Sequence, residues 1–335
     1  MKSIVLQNAL GIVNLQIVER PEPKPGAGQV LLRMKAWSLN YRDLLVVKGL
    51  YNPKLKLPFV PLSDGVGEVI GVGEGVTRVK VGERVAGCFM QRWIAGQLGE
   101  AAARSALGGG VPGILEEQVV LHEDGVVHVP AHLSNEEAAT LPCAALTAWN
   151  ALVTQGQLKA GDTILIQGTG GVSIFALQFA RLMGARVIAT SSSNAKLERV
   201  RQMGASDGIN YKDTPAWDEK VRELTGGQGV DHVVEVGGAG TFNQSMKSVR
   251  LGGTVSLIGV LAGKGDVNLM PVLMKSARVQ GIFVGSREMF EAMNRAIAVA
   301  QLRPAVDRVI DMKDIQAALK HMDAGAHFGK VCVRV

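Results

Sequence analysis

The run Ile164-Leu165-Ile166-Gln167-Gly168-Thr169-Gly170-Gly171-Val172-Ser173 carries the sharpest chemical signal in the chain. Apolar residues lead into a glycine turn, and a helical period leads out of it. One glycine lets the backbone reverse, and the next lets it approach a pyrophosphate. The following helix offers free N–H groups and a partial positive charge. Gly168, Gly170, Gly171 and Val172 are therefore candidate dinucleotide-binding residues, although Ser173 stands where the third glycine of G-x-G-x-x-G belongs. At the end of the next strand, NAD binders place an acid that holds the ribose hydroxyls. Here that position falls on Ser191, followed by Ser192, Ser193 and, shortly after, Lys196. Hydroxyls and a lysine suit a 2′-phosphate, which a carboxylate would repel. The pattern predicts NADPH as the cofactor.

The elements that must position this turn lie on either side of it. Residues 163–167, 186–190, 231–236, 253–258 and 278–284 read as buried strands. Val172, Phe175, Ala176, Phe179, Leu182 and Met183 form a helical stripe that Gly184 closes, and Thr214-Pro215 reads as the start of another helix. Strands alternating with helices predict an α/β domain over 131–287 built on a doubly wound parallel sheet, a Rossmann fold. Residues 1–130 have a different texture: strand runs at 29–35, 66–73 and 118–121, with a proline-rich loop at 21–26. A helix near 287–301 leads into a tail, and 288–335 is expected to join 1–130 in a β-rich domain. Residues 88–115, glycine-rich around a short alanine-rich helix, read as a long loop or lid over a cleft.

Composition sets the outer limits. The 335 residues are 47% apolar and 20% charged, with 36 Lys+Arg against 30 Asp+Glu, a net charge of +6. These proportions exclude general disorder and allow two cores. Cys88, Cys143 and Cys332 are too few and too scattered for a disulfide framework. No run of about 20 apolar residues exists, and the run at Ile4-Val5-Leu6 ends at Gln7, so neither a membrane span nor a secretion signal is expected. The expectation is a reducing cytoplasmic compartment. Positive charge is spread along the chain and only 4% of residues are aromatic, so the basic, aromatic-interleaved surface of a nucleic-acid binder is missing.

Further landmarks recur in order: Leu39-Asn40-Tyr41-Arg42-Asp43, Gly49-Leu50-Tyr51, Asp64-Gly65-Val66-Gly67-Glu68-Val69, Val81-Gly82-Glu83-Arg84-Val85, Leu141-Pro142-Cys143, Thr147-Ala148-Trp149, Gly252-Gly253-Thr254 and Gly329-Lys330. Together with the glycine turn they make the whole chain resemble the medium-chain dehydrogenase/reductase superfamily, and within it the zinc-free branch of NADPH quinone oxidoreductases and enoyl reductases. The resemblance implies a GroES-like catalytic domain followed by a Rossmann domain, with NADPH in the cleft between them and a homodimer formed through the Rossmann sheet. It implies that Lys196 and Tyr211 flank the 2′-phosphate, and that Thr147, Gly237, Ile258, Val260, Val284 and Ser286 line the cofactor.

The same resemblance permits a test for metal. Zinc-bearing members supply cysteine, histidine and cysteine to the catalytic ion, and the matching positions here are Asn40, Ser63 and Cys143. One soft ligand of three does not meet the usual zinc requirement. Four cysteines would be needed for a structural zinc in 88–115, and only Cys88 is present. His128 and His132 are separated by Pro130 and cannot share a helix face. No metal is expected.

Hydride delivered to a plain ketone leaves a basic alkoxide, which needs a Lewis acid or a proton donor. A quinone or an enone instead spreads the added charge, so the expected substrate is a small-molecule electron acceptor of that kind. Asn40, a neutral amide donor, and Tyr51, where the resemblance places a proton-donating tyrosine in enoyl reductases, are the candidate catalytic residues. The alternatives are an alcohol or aldehyde dehydrogenase of the same superfamily and a non-catalytic, crystallin-like NADPH- or RNA-binding protein.

Overall fold

Residues 29–38 show how the first half of the chain builds its core: Val30, Leu32, Met34 and Ala36 alternate inward while Arg33 points out. The computed structural model describes residues 1–259, 261 and 265–335. It divides into two units, Met1–Leu146 with Gly285–Val335, and Thr147–Val284.

The first unit runs β1 (Lys2–Leu6), β2 (Leu15–Glu19), β3 (Gln29–Ser38), α1 (Tyr41–Val47), β4 (Asp64–Val72), β5 (Arg84–Gly87), α2 (Glu100–Ala103), β6 (Gln118–His122), β7 (Val126–His128) and α3 (Asn135–Ala139). In the second, α4 (Leu146–Trp149), β8 (Thr163–Gln167), α5 (Gly171–Leu182), β9 (Arg186–Ser191), α6 (Asn194–Gln202), β10 (Asp207–Asn210), α7 (Trp217–Leu224), β11 (Val230–Glu235), α8 (Ala239–Ser248), β12 (Val249–Leu257), α9 (Met270–Met274) and β13 (Arg278–Gly281) follow. The chain then returns to the first unit through α10 (Arg287–Ala300), β14 (Val306–Asp311), α11 (Ile315–Asp323) and β15 (Lys330–Arg334).

The first unit is the GroES-like β domain. Its larger sheet has the order β14-β15-β3-β4-β5-β7, with β6 paired to β3. The Trp37 indole, fully buried, donates to the Ile114 carbonyl at 2.6 Å. The second unit is a six-stranded parallel sheet of order β10-β9-β8-β11-β12-β13. Strand order reverses between β8 and β11, the switch point at which sheets of this Rossmann type bind ligands.

Three features differ from the sequence reading. The first unit extends to Leu146 rather than about 130, because α3 is tied into it. Arg84 reaches the Asn135 side chain at 3.2 Å, Arg303 the Glu137 carboxylate at 2.8 Å, and the His132 ring the Leu302 carbonyl at 3.0 Å. Thr214 does not cap a helix: its amide bonds the Asn210 carbonyl in the turn after β10, and α7 starts beyond Ala216. Residues 88–115 form no loose lid. Phe89, Met90, Trp93, Leu107, Ile114 and Leu115 are buried. The glycines that suggested flexibility are contact points, since a Cβ on Gly108 would sit 2.7 Å from Leu62 backbone and one on Gly113 2.2 Å from the Pro61 carbonyl.

Candidate active site

β8 ends at Gln167, and the chain reverses at Gly168 with a φ of +69°. A Cβ added at Gly168 or Gly170 would meet nothing within 4 Å, so the turn has an open face. Gly170 precedes α5 without any side-chain cap, leaving the first-turn N–H groups of Gly171 and Val172 unengaged by side chains. Ser173 explains its own departure from the glycine pattern: its buried hydroxyl donates to the Gln167 carbonyl at 2.6 Å, stitching turn to helix. The result is an anion cradle of backbone donors at a helix N-terminus.

Beside it, the end of β9 meets the end of β10. Ser191 pairs with Asn210 in register, and the Tyr211 amide donates to the Ser191 carbonyl at 3.1 Å. Ser193 caps α6 by accepting from the Lys196 amide at 3.3 Å, so Ser191, Ser192, Lys196 and Tyr211 share one corner of the unit. Tyr211 is exposed there, whereas the Ser191 hydroxyl is buried and accepts from the Ser193 amide at 3.3 Å.

A residue not singled out from sequence organises the same sheet end. Glu235, fully buried at the end of β11, accepts from the Gly237 and Gly238 amides at 2.7 and 2.8 Å and from the Thr241 hydroxyl at 2.6 Å. Its second oxygen accepts from the Gln167 amide at 2.8 Å and from the Ser245 hydroxyl. A carboxylate inside an apolar strand survives only with such partners, and Val233-Val234-Glu235 was the available signal. The Ile258 amide donates to the Glu235 carbonyl at 2.9 Å, so Gly237 and Ile258 belong to one hub. Val260 lies outside the described residues. Val284 holds φ at +57°, a strained value for a β-branched residue, and its carbonyl accepts from the Asn150 amide at 2.7 Å. Thr147 is buried at the start of this unit.

The first unit holds a separate, buried polar cluster. Asn40 caps α1, its backbone N–H donating to Asp43 at 2.8 Å. Its side-chain oxygen accepts from the Lys330 ammonium at 2.5 Å, and its Nδ2 faces the Ser63 hydroxyl at 3.4 Å. Ser63 donates to Asp64 Oδ1 at 2.7 Å, and the Cys143 amide donates to Asp64 Oδ2 at 3.0 Å. Asn40 is 7% exposed and Asp43, Ser63 and Asp64 are fully buried. Burial pushes the Asp64 carboxyl up to about 6, with Lys330 opposing and Asp43 adding to the rise. Burial and then the Asp64 charge push the Cys143 thiol far up, away from the thiolate form.

Tyr51 follows α1 in sequence, and the chain folds it back along that helix toward Arg42 in the first turn. It is exposed, 5.7 Å from the Arg42 guanidinium, and its amide bonds the Leu45 carbonyl. The structure gives no contact between Tyr51 and Asn40. Ser286 is buried, its hydroxyl occupied in capping α10 through the Met289 amide at 3.2 Å. Arg287 meets Asp124 at 2.6 Å.

Asp64 also sets a stability test. Its carboxyl is raised above its ordinary 3.8, so it favours the fold most when protonated; that contribution is complete below about pH 4 and is lost as pH rises through about 6. The shift corresponds to about 3 kcal/mol. Urea unfolding should show Asp64→Asn gaining stability relative to wild type between pH 4 and 7. Parallel pH curves for the two proteins would remove the assignment.

A catalytic zinc does not suit this cluster. Of Asn40, Ser63 and Cys143, only one is a soft donor, the Asn40 oxygen is taken by an ammonium, and both Asp64 oxygens are engaged.

Comparison with known proteins places these two sites in context. The Alcohol dehydrogenase GroES-like domain family matches residues 26–131, and the Zinc-binding dehydrogenase family matches 171–299. A zinc-type alcohol dehydrogenase-like protein of Schizosaccharomyces pombe is 42% identical, covering 100% of this chain and 99% of its own. An acryloyl-coenzyme A reductase of Metallosphaera sedula is 30% identical over 94% of this chain and 95% of its own. The crystal structure of an NAD-dependent alcohol dehydrogenase superposes with a TM-score of 0.90 at 33% identity over all of both chains. A mycobacterial quinone oxidoreductase and a mycobacterial protein complexed with NADPH are 28% and 27% identical, each at a TM-score of 0.82 over all of both chains. With two family models matching over most of the chain and a relative 42% identical along all of it, this chain belongs to the medium-chain dehydrogenase/reductase superfamily and is an oxidoreductase of that superfamily.

Proposed function

We propose that this chain is a zinc-independent, NADPH-dependent reductase of quinones or of C=C bonds conjugated to a carbonyl. The observation that carries this reading is the cluster at Asn40, where an amide donor backed by an ammonium occupies the place of a metal ligand. NADPH, when bound, supplies a hydride. The chain's residues do the rest. The open turn at Gly168–Gly171 and the N-terminus of α5 suit the pyrophosphate, and Lys196 and Tyr211, beside Ser191 and Ser192, suit the 2′-phosphate. Asn40 Nδ2 donates to the acceptor oxygen as it gains negative charge, which a hydroquinone anion or enolate already delocalises. Tyr51, exposed and next to the Arg42 cation, is the candidate that returns a proton to carbon in enone reduction. The S. pombe and M. sedula relatives support oxidoreduction of this superfamily, and the second of them is named an acryloyl-coenzyme A reductase. The test is NADPH consumption with quinones, enones, enoyl thioesters and aldehydes. Turnover confined to simple aldehydes and alcohols would replace this reading with that of an alcohol dehydrogenase.

The reading extends to a homodimer built on the second unit. Among the described residues β13 ends its sheet without a further strand, α9 buries no residue, and Leu269, Leu273 and Met274 are about 70% exposed. An open sheet edge beside apolar side chains is a pairing surface. Light scattering should report a dimer for wild type and a monomer for the double variant Leu273→Asp with Met274→Asp. A monomeric wild type would end the proposal. Among the described residues no helix is long and apolar enough to cross a membrane.

A further inference from the structure

Lys330 is 3% exposed, and its ammonium donates to the Leu39 carbonyl and to Asn40 Oδ1, both at 2.5 Å. The sheet brings them together across almost the whole chain. Cys332 pairs with Ser38 in the β15–β3 ladder, and the Leu39 amide bonds the Val331 carbonyl, so the next residue back, Lys330, falls beside Asn40. Gly329, with φ +72° and its Cβ position 2.4 Å from the Ala305 carbonyl, is the bend that starts β15 at that register. A buried ammonium is costly unless compensated. Here the two carbonyl oxygens hold it, and Asp43 and Asp64 lie within reach of its charge.

The geometry points to Lys330 as the positioning residue that sets which end of the Asn40 carboxamide serves the reaction. An ammonium has donors and no acceptor, so the amide atom facing it must be oxygen. Nδ2 is then directed to the Ser63 side, where the Ser63 hydroxyl accepts from it and in turn donates a hydrogen bond to Asp64 Oδ1. The bonds run in one direction, from Lys330 through Asn40 and Ser63 to Asp64. Without the ammonium, the Leu39 carbonyl loses its partner and offers an acceptor to Nδ2, and the amide can turn over. Its oxygen would then face the developing anion. This inference rests on the reading of Asn40 as donor to the acceptor oxygen.

The test separates the two claims. In asparagine-selectively nitrogen-labelled protein without cofactor, the Asn40 side-chain amide resonance, assigned by its loss in Asn40→Ala, should shift in Lys330→Met and stay near its wild-type position in Lys330→Gln, whose amide still donates. Lys330→Met should lower kcat with a quinone or enone by about tenfold to a hundredfold, with NADPH affinity unchanged. Lys330→Gln should recover most of that loss and also serves if the methionine variant does not fold. In an Asn40→Ala background the methionine substitution should have no further effect on kcat. An unmoved resonance, or an equal loss of kcat in both backgrounds, overturns the role of Lys330. A shifted resonance with unchanged kcat sustains the positioning and overturns Asn40 as the donor.

Discussion

Replacing Lys196 with alanine is expected to weaken NADPH binding by about 10- to 100-fold while leaving NADH binding within about twofold, as read by nicotinamide fluorescence titration. A hydrogen bond to a charged group contributes about 1.5–3 kcal/mol, which is the source of that range. The selectivity follows from placement. Lys196 sits in the first turn of α6, beyond the β9 end where Ser191 replaces the acid of NAD binders, and Tyr211 meets the Ser191 carbonyl from β10. The Lys196 side chain is placed for the 2′-phosphate rather than for the pyrophosphate turn at Gly168, so a cofactor lacking that phosphate should lose little on its removal. Equal weakening of NADPH and NADH would refute the 2′-phosphate assignment.

Asn40→Ala should lower kcat/KM by about 100-fold with quinones and enones alike, the typical effect of losing one donor to a developing oxyanion. Both acceptor classes place negative charge on an oxygen, so both need the same amide. Tyr51→Phe should behave differently: enone reduction, which must deliver a proton to carbon, should slow by about tenfold or more, while quinone reduction should barely change. Steady-state kinetics on the paired substrates tests both. An Asn40→Ala enzyme with wild-type kcat would remove the amide from the chemistry, and equal rates for Tyr51→Phe on both substrates would remove the phenol. Tyr51 follows α1 and folds back along it, its amide on the Leu45 carbonyl and its ring beside Arg42 in the first turn, and no contact in the structure joins it to Asn40.

The parallel sheet and its glycine turn were legible because the signals are local. Ile164, Leu165 and Ile166 are fully buried, and such strands read as unbroken apolar runs. The turn that follows announces itself by its glycines, of which Gly168 holds φ at +69°. Ser173 was also visible as a departure, though not that its hydroxyl would bond the Gln167 carbonyl. What stayed hidden depends on partners far apart in the chain. Lys330 meets Asn40 only through the β15–β3 register, and Glu235 gathers Gln167 and Thr241 only once β8 and β11 lie side by side. The 88–115 segment misled for a different reason. Glycine signals freedom when nothing surrounds it, but Gly108 and Gly113 are glycine because backbone passes too close for a Cβ. Arg42 adds to that packing, donating to the Leu107 carbonyl and stacking 4.5 Å from the Phe89 ring.

The proposed hydride transfer to a conjugated acceptor relies on an amide and an ammonium rather than on a metal ion. The most direct measurement is NADPH oxidation by an enone or a quinone after exhaustive chelation, with elemental zinc analysis of the same sample. Undiminished turnover is expected, with zinc far below one equivalent. Activity that disappears on chelation and returns in proportion to added zinc would contradict it.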